Sequence, residues 1–167
     1  MTLVPKGGND RVYTPDQLAL DVVEHFLPQI NSNARILEPC YGKGAFIKAF
    51  KKYGLTNITK LELDKGQDFF LHTNKHDWII TNPPWSKAKD FWTHSYSLAN
   101  NVVFLITVNH LIALKRRLRD MRDAKFGIKE IYMVETPPNP WPQSGFQLGA
   151  IHVQYAWKGK LTLNWEV

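Results

Sequence analysis

Ile36-Leu37-Glu38-Pro39-Cys40-Tyr41-Gly42-Lys43-Gly44-Ala45-Phe46 is the stretch whose reading settles the architecture. The run from Ala34 to Glu38 has the length and apolar content of a short buried strand, and Pro39 ends it. From Ala45 to about Tyr53 the apolar residues recur at helical spacing until Gly54 stops them. A strand that passes through glycines straight into a helix is a building unit of an open α/β sheet. Its turn lies at the carboxyl ends of the strands, where such sheets bind ligands. Glycine there adopts backbone angles closed to other residues and lets a ligand approach the main chain. No glycine or alanine stands three positions after Gly44, and no Gly-Lys-Ser/Thr ending exists. A dinucleotide fingerprint and a phosphate-cradling loop are both disfavoured on that ground.

Working outward, Thr14-Pro15-Asp16-Gln17 predicts a helix start, with Thr14 as N-cap, Pro15 at the first position and Gln17 closing a capping box. The apolar face runs from Leu18 to Leu27, and Pro28 ends it. Downstream, 58–63, 78–81, 102–108, 130–135, 149–157 and 161–167 read as strands, and 88–99 and 111–123 as helices. Strands alternating with helices predict an α/β fold with a doubly wound, mostly parallel sheet and antiparallel strands near the C-terminus. The segment 136–145 is a Pro-rich loop expected at the surface. With 167 residues and no repeat or linker, the chain is expected to be one domain, 1–167.

Bulk properties narrow the class. Hydrophobic residues make up 44% and charged residues 22%, the balance of a folded globular protein. No apolar run approaches the roughly 20 residues that span a bilayer, and the first residues lack an apolar signal core, so no membrane role and a cytoplasmic location are expected. The single Cys40 cannot close an internal disulfide, in keeping with a reducing compartment. A net charge of +6 favours a polyanionic partner. The six His show no spacing backed by Cys or acids that would hold a metal, so none is expected.

Three further groups of residues fall in order along the chain. Glu62-Leu63-Asp64 closes the second strand, where an acid accepts hydrogen bonds from ribose hydroxyls. Asp68 precedes Phe69-Phe70 and offers an acceptor for an aromatic amine beside an aromatic wall. Asn82-Pro83-Pro84-Trp85 directly follows the buried run Trp78-Ile79-Ile80-Thr81. There the Asn82 amide oxygen and a backbone carbonyl can hold an NH2 group while Trp85 stacks on its ring. Taken singly, a glycine turn is as often a plain turn, and a strand-end acid is commonly just solvated. Their joint order describes a nucleoside cofactor without a pyrophosphate beside a gripped, amine-bearing ring.

In these motifs the chain resembles the S-adenosylmethionine-dependent adenine-N6 methyltransferases of DNA, above all small phage-type ones whose cofactor motifs precede the catalytic one. The resemblance runs from about Val12 to Trp157. It implies a Rossmann-like methyltransferase sheet and S-adenosylmethionine as cofactor, with S-adenosylhomocysteine as product. Tyr13-Thr14-Pro15 is similar to the segment that closes over the methionine end of the cofactor. The loop of Glu38, Pro39, Cys40, Gly42, Gly44 and Phe46 resembles the cofactor loop, with Glu38 addressing the methionine amine directly or through water. By the same likeness Glu62 and Leu63 take the ribose side, Asp68 the cofactor adenine amine and Phe69 its ring. Asn82 to Trp85 matches the catalytic motif, and Trp141-Pro142-Gln143 the later unit that supplies a second stacking ring, with Phe146 as the alternative. The stretch between Glu62 and Asp68 is shorter than in the family, so a helix and a strand are expected to be trimmed. No separate target-recognition domain is expected, which leaves target choice to loops, a partner or loose specificity.

The chemistry implied is methyl transfer to the adenine N6 amine, with the base flipped out of its stack between Trp85 and Trp141 or Phe146. Lys115, Arg116, Arg119 and Arg122, with Lys6, Arg11 and Lys87, are candidates for the phosphate backbone, although a basic helix is as readily a solvated face. Alternative readings are an RNA adenine methyltransferase, a protein-glutamine methyltransferase holding a side-chain amide on Asn82, and a non-catalytic nucleic-acid-binding relative.

Overall fold

The computed structural model describes residues 12–165. Lys6 and Arg11 lie outside the described residues. Helix α1 (Asp16–Phe26) leads to strand β1 (Ile36–Glu38), helix α2 (Ala45–Lys52) and strand β2 (Ile58–Lys60). Then come β3 (His76–Thr81), α3 (Ala88–Ser95), β4 (Ala99–Thr107), α4 (Asn109–Ile112) and α5 (Lys115–Asp123). Strands β5 (Phe126–Met133), β6 (Leu148–Tyr155) and β7 (Thr162–Trp165) complete one seven-stranded sheet in the order β2-β1-β3-β4-β6-β5-β7. β1, β2, β3 and β4 are mutually parallel, β6 runs against both β4 and β5, and β7 pairs parallel with β5. The sheet is therefore mostly parallel, with an antiparallel strand near the C-terminus.

Period-two alternation divides the core between the faces. Ile36, Ile80, Val103, Leu105 and Ala150 join the buried faces of α1 and α2, notably Val22, Val23, Phe26 and Phe50. Leu37, Ile79, Val102, Phe104, Ile106, Ile151 and Val153 join Phe91, Trp92, Leu111 and Met121 on the opposite side. Each buried Val, Leu, Ile, Phe or Met among them contributes about 1.5–3 kcal/mol of transfer free energy. His152 lies within the first layer against Phe26 and Trp78, and its Nε2 meets Asn101 Oδ1 at 3.0 Å. Burial drops its pKa to about 3 and keeps it neutral.

Some boundaries differ from those expected. The capping box is absent: Pro15 is the N-cap of α1 with no side-chain bond, and Gln17 instead donates to Asp21 at 2.7 Å. The Thr14 hydroxyl is used elsewhere, as described below. α3 ends at Ser95, and β4 starts at Ala99, three residues before its apolar run, because Asn100 and Asn101 extend the pairing beside β3. The helix expected over 111–123 is two helices, broken where Leu114 turns extended (φ −119°, ψ 114°). Between β2 and β3 the chain runs through two single 3₁₀ turns, Leu63–Lys65 and Phe69–Leu71, which leaves β2 at the edge of the sheet. No helix among the described residues is long and apolar enough to cross a membrane.

Candidate active site

The parallel strands deliver their carboxyl ends to one edge: Glu38 from β1, Glu62 just past β2, Asn82 just past β3 and Val108 just past β4. A cavity of about 460 Å³ opens there. That is a volume typical of small-molecule sites. Its lining comes from Val12-Tyr13-Thr14, the glycine loop, the 62–70 stretch, Asn82, Pro84, Lys87 and Phe91.

The glycine loop explains itself locally. Gly42 (φ +49°) and Gly44 (φ +82°) hold left-handed conformations, and a Cβ on Gly42 would stand 3.1 Å from the Tyr13 ring. Tyr13 covers that glycine, and Lys43 Nζ sits 4.5 Å from the centre of its ring. The loop is fastened from below, because Gly42 N–H donates to Glu62 Oε2 at 2.7 Å and Gly44 N–H to the Tyr41 carbonyl at 2.6 Å.

Glu38 lies beneath the loop, 1% exposed. Its Oε1 accepts from Cys40 N–H at 3.0 Å and from the Thr81 hydroxyl, while Oε2 has no hydrogen-bond partner. Burial raises its pKa to about 8, against the two hydrogen bonds that pull it down. Burial also pushes the Cys40 thiol well up, with Glu38 and Glu62 adding repulsion. That thiol is therefore no nucleophile at neutral pH.

Asn82 is oriented by the N-terminal segment. Its Nδ2 donates to Thr14 Oγ1 at 3.2 Å and to the Val12 carbonyl at 3.4 Å. A carbonyl only accepts, so the amine end of the amide must face Val12, and Oδ1 is the end left to receive a donor. Pro83 is buried and Pro84 half-buried, fixing the backbone between Asn82 and Trp85.

Trp85 is half-buried, with His110 at 5.8 Å and Trp141 at 6.2 Å between ring centres. Trp141 does not stand where a sandwich requires it. It is 3% exposed, meets Trp85 edge-on at 71° and belongs to the core layer under α1 and α2. Two edge-on rings leave no parallel slot for a base, and the loop that carries Trp141 is bound to itself, Gln143 Nε2 donating to the carbonyls of Pro137 and Trp141. Phe146, the alternative ring, is 57% exposed.

The remaining expected residues group as follows. Leu63 is exposed at the cavity mouth, and Asp68 lines the cavity while its Oδ1 caps Phe70 N–H at 2.9 Å. Phe69 is buried and stacked on Phe91 at 4.8 Å, although both still touch the cavity. Pro39, Phe46 and Lys87 also line it. Pro15, Glu38, Gly44, Pro83, Trp85, Trp141 and Phe146 are not among its lining residues. Lys115, Arg116, Arg119 and Arg122 are all exposed on α5, and none of them lines the cavity. Tyr41, Lys65 and Phe91 were not legible as site residues. Tyr41 carries Lys60 and Lys65 on its ring, at 5.0 and 4.8 Å, and Phe91 reads in sequence as an ordinary apolar helix position. Among the described residues no group of three or more His, Cys, Asp or Glu could hold a metal ion.

The sheet is similar to those of solved structures described as class I S-adenosylmethionine-dependent methyltransferases. A protein from Listeria monocytogenes assigned to that class superposes with a TM-score of 0.67 at 13% identity, over 94% of this chain and 66% of that one. The type I restriction enzyme EcoKI M protein superposes with a TM-score of 0.64 at 14% identity, over 89% of this chain and 45% of that one. In sequence, the chain is 34% identical over 71 residues to the type II methyltransferase M.HincII of Haemophilus influenzae. That match takes in 36% of this chain and spans only 14% of the relative. No family model matches the chain. The likeness to the S-adenosylmethionine-dependent DNA methyltransferase family is thus present at two levels, in sequence to a type II enzyme and in fold to the class I methyltransferases.

Proposed function

We propose that the chain transfers the methyl group of S-adenosylmethionine to the exocyclic N6 amine of adenine in DNA, with the target base turned out of its stack. The observation that carries this reading is the tethering of Asn82. With Nδ2 held by Thr14 and Val12, Oδ1 is left as the acceptor of a residue that lines the cavity, on the segment that runs on through Pro83 and Pro84 to Trp85.

The cofactor fits the residues present. Glu38 Oε2, partnerless and buried behind the cavity wall rather than lining it, would take the methionine ammonium directly or through a water. Glu62 stands just past β2 for the ribose hydroxyls, and Asp68, Phe69 and Phe70 line the same cavity for the adenine ring. When bound, the cofactor supplies an electrophilic methyl on a sulfonium that departs as a neutral thioether.

The chain's own residues act on the acceptor. The adenine amine is a poor nucleophile, because its lone pair is delocalised into the ring. Asn82 Oδ1 and the Pro83 carbonyl would accept hydrogen bonds from its two N–H groups, which favours a tetrahedral nitrogen and aims the lone pair at the methyl carbon; once the C–N bond has formed, the cationic nitrogen releases one proton to solvent. Positioning and fixed dipoles then lower the barrier without a covalent intermediate. Trp85 stacks on the extruded base, contributing on the order of 1–3 kcal/mol toward the lost pairing. Given where Trp141 lies, Phe146 is the better candidate for the opposite face.

The test is Asn82→Ala, assayed with labelled cofactor on duplex DNA, single-stranded DNA and RNA, followed by mapping of the methylated nucleoside. The expected result is N6-methyladenine in DNA from the native chain. The variant should lose at least about 100-fold in transfer while cofactor affinity stays within about two-fold. Native-level transfer by the variant would overturn the mechanism, and methyladenine confined to RNA would overturn the substrate.

A further inference from the structure

Two of the large apolar side chains left at the surface stand side by side where the helix breaks after β4. Ile112 is 45% exposed and Leu114 52% exposed, on either side of Ala113. The break places them there. Had 111–123 been one helix, both would have fallen on its regular faces, whereas α4 stops after a single turn and Leu114 runs extended before α5 begins.

The tip is braced. Arg117 on α5 reaches back across the break and donates to the His110 carbonyl, while its own N–H donates to the Leu114 carbonyl at 2.9 Å. Leu111, between the tip and the sheet, is fully buried and anchors α4 to the core. The tip also sits beside the site. α4 follows the carboxyl end of β4, the strand next to β3, and His110 has its ring 5.8 Å from Trp85. Lys115 and Arg116 follow at once, both exposed, and Lys87 is exposed on the neighbouring segment after Trp85. An exposed apolar tip followed directly by two exposed cations complements a duplex. The cations meet phosphates, and the apolar side chains are of the kind that proteins insert between base steps.

We infer that Ile112 and Leu114 form a wedge that enters the duplex beside the target and fills the gap left when the base is turned out. The inference rests on the proposed transfer to a base in DNA. It adds that this tip positions duplex substrate only, since a single strand presents its base with no gap to fill.

The double variant Ile112→Ala/Leu114→Ala in the full chain tests it. The probe is sheared bacterial genomic DNA free of adenine methylation, offered native or heat-denatured, with labelled cofactor. The expected result is a loss of about ten-fold or more in kcat/KM on native DNA, with the rate on denatured DNA unchanged within about two-fold. Leu114→Met, which keeps an apolar tip, should restore most of the duplex rate. An unchanged ratio of duplex to single-strand rates in the double variant overturns the wedge, and so does an equal fall on both, which marks the tip as a contact for folding or for another protein. A native chain active only on denatured DNA also overturns it while leaving the proposed chemistry standing. A native chain inactive on every nucleic acid overturns both readings.

Discussion

Glu38 is a buried carboxyl with one oxygen satisfied and the other without a partner, and this has a consequence for pH. Its folded pKa of about 8 lies above the usual carboxylate value of 4.5. The folded state therefore holds a proton that the unfolded chain releases, and the free protein should lose stability as pH rises from about 4.5 through about 8. Binding of a cation at Oε2 reverses the preference, so cofactor affinity should rise with pH over the upper part of that window and level off above it. Calorimetry in buffers of different ionisation enthalpy should show close to one proton released per cofactor near pH 7. In Glu38→Gln both the stability slope and the proton release should disappear; proton release persisting in that variant would place the titrating group elsewhere. Thr14 offers a second check at this scale. Thr14→Val removes the acceptor for Asn82 Nδ2, and transfer should fall about ten-fold with little change in cofactor affinity. The positions of Glu38, Glu62 and Asn82 at or just past strand ends were legible in sequence, because each closes or follows an apolar or alternating run. The burial of Trp141 was not, since an aromatic in a Pro-rich loop has the same sequence signature whether its ring turns toward solvent or into the core.

Among the elements, the strand-loop-helix unit β1 to α2 was the most legible, because the glycines that identify it are required by backbone geometry. Gly42 meets two demands, a positive φ and a ring packed on its Cα. Gly42→Ala should cost on the order of 1–3 kcal/mol through strain. It should also displace Tyr13, weakening cofactor binding more than it lowers Tm, and thermal shift with and without cofactor separates the two effects. The break between α4 and α5 was not legible. Apolar and basic residues recur at helical spacing straight through it, and neither glycine nor proline marks the point. What breaks the helix is tertiary: Leu111 is drawn into the core and Arg117 bonds back to His110, a geometry that a continuous helix does not allow. The capping box failed for a related reason, since the Thr14 hydroxyl is engaged by Asn82 from a strand end far away in sequence. In the Pro-rich loop, Trp141→Ala should destabilise the protein by about 3–5 kcal/mol, as expected for a large ring removed from a core. A Tm unchanged by that substitution, together with a loss of transfer, would return Trp141 to the acceptor site.

Across the whole molecule, the order of strands gathers acids and amides at one edge, while much of the surplus positive charge sits on α5. A net charge of +6 on 167 residues leaves the location of a polyanion open. The fold narrows it, because α5 starts beside the carboxyl edge of the sheet and carries Lys115, Arg116, Arg119 and Arg122, all exposed. If a DNA backbone tracks along the helix, each contacted phosphate releases counterion, and the slope of log K against log salt steepens by about 0.9 per contact. Replacing the four by Ala should flatten that slope by about 2 to 4 on mixed-sequence duplex, with stability changed by no more than about 0.5 kcal/mol per site because none is buried. Position supplies a finer expectation. Lys115 and Arg116, nearest the break, should lower duplex methylation at subsaturating DNA more than Arg119 and Arg122, whose contribution is to affinity alone. A salt slope unchanged in the quadruple variant would make α5 a solvated face and direct the search for the phosphate track to Lys43, Lys65 and Lys87 around the cavity mouth.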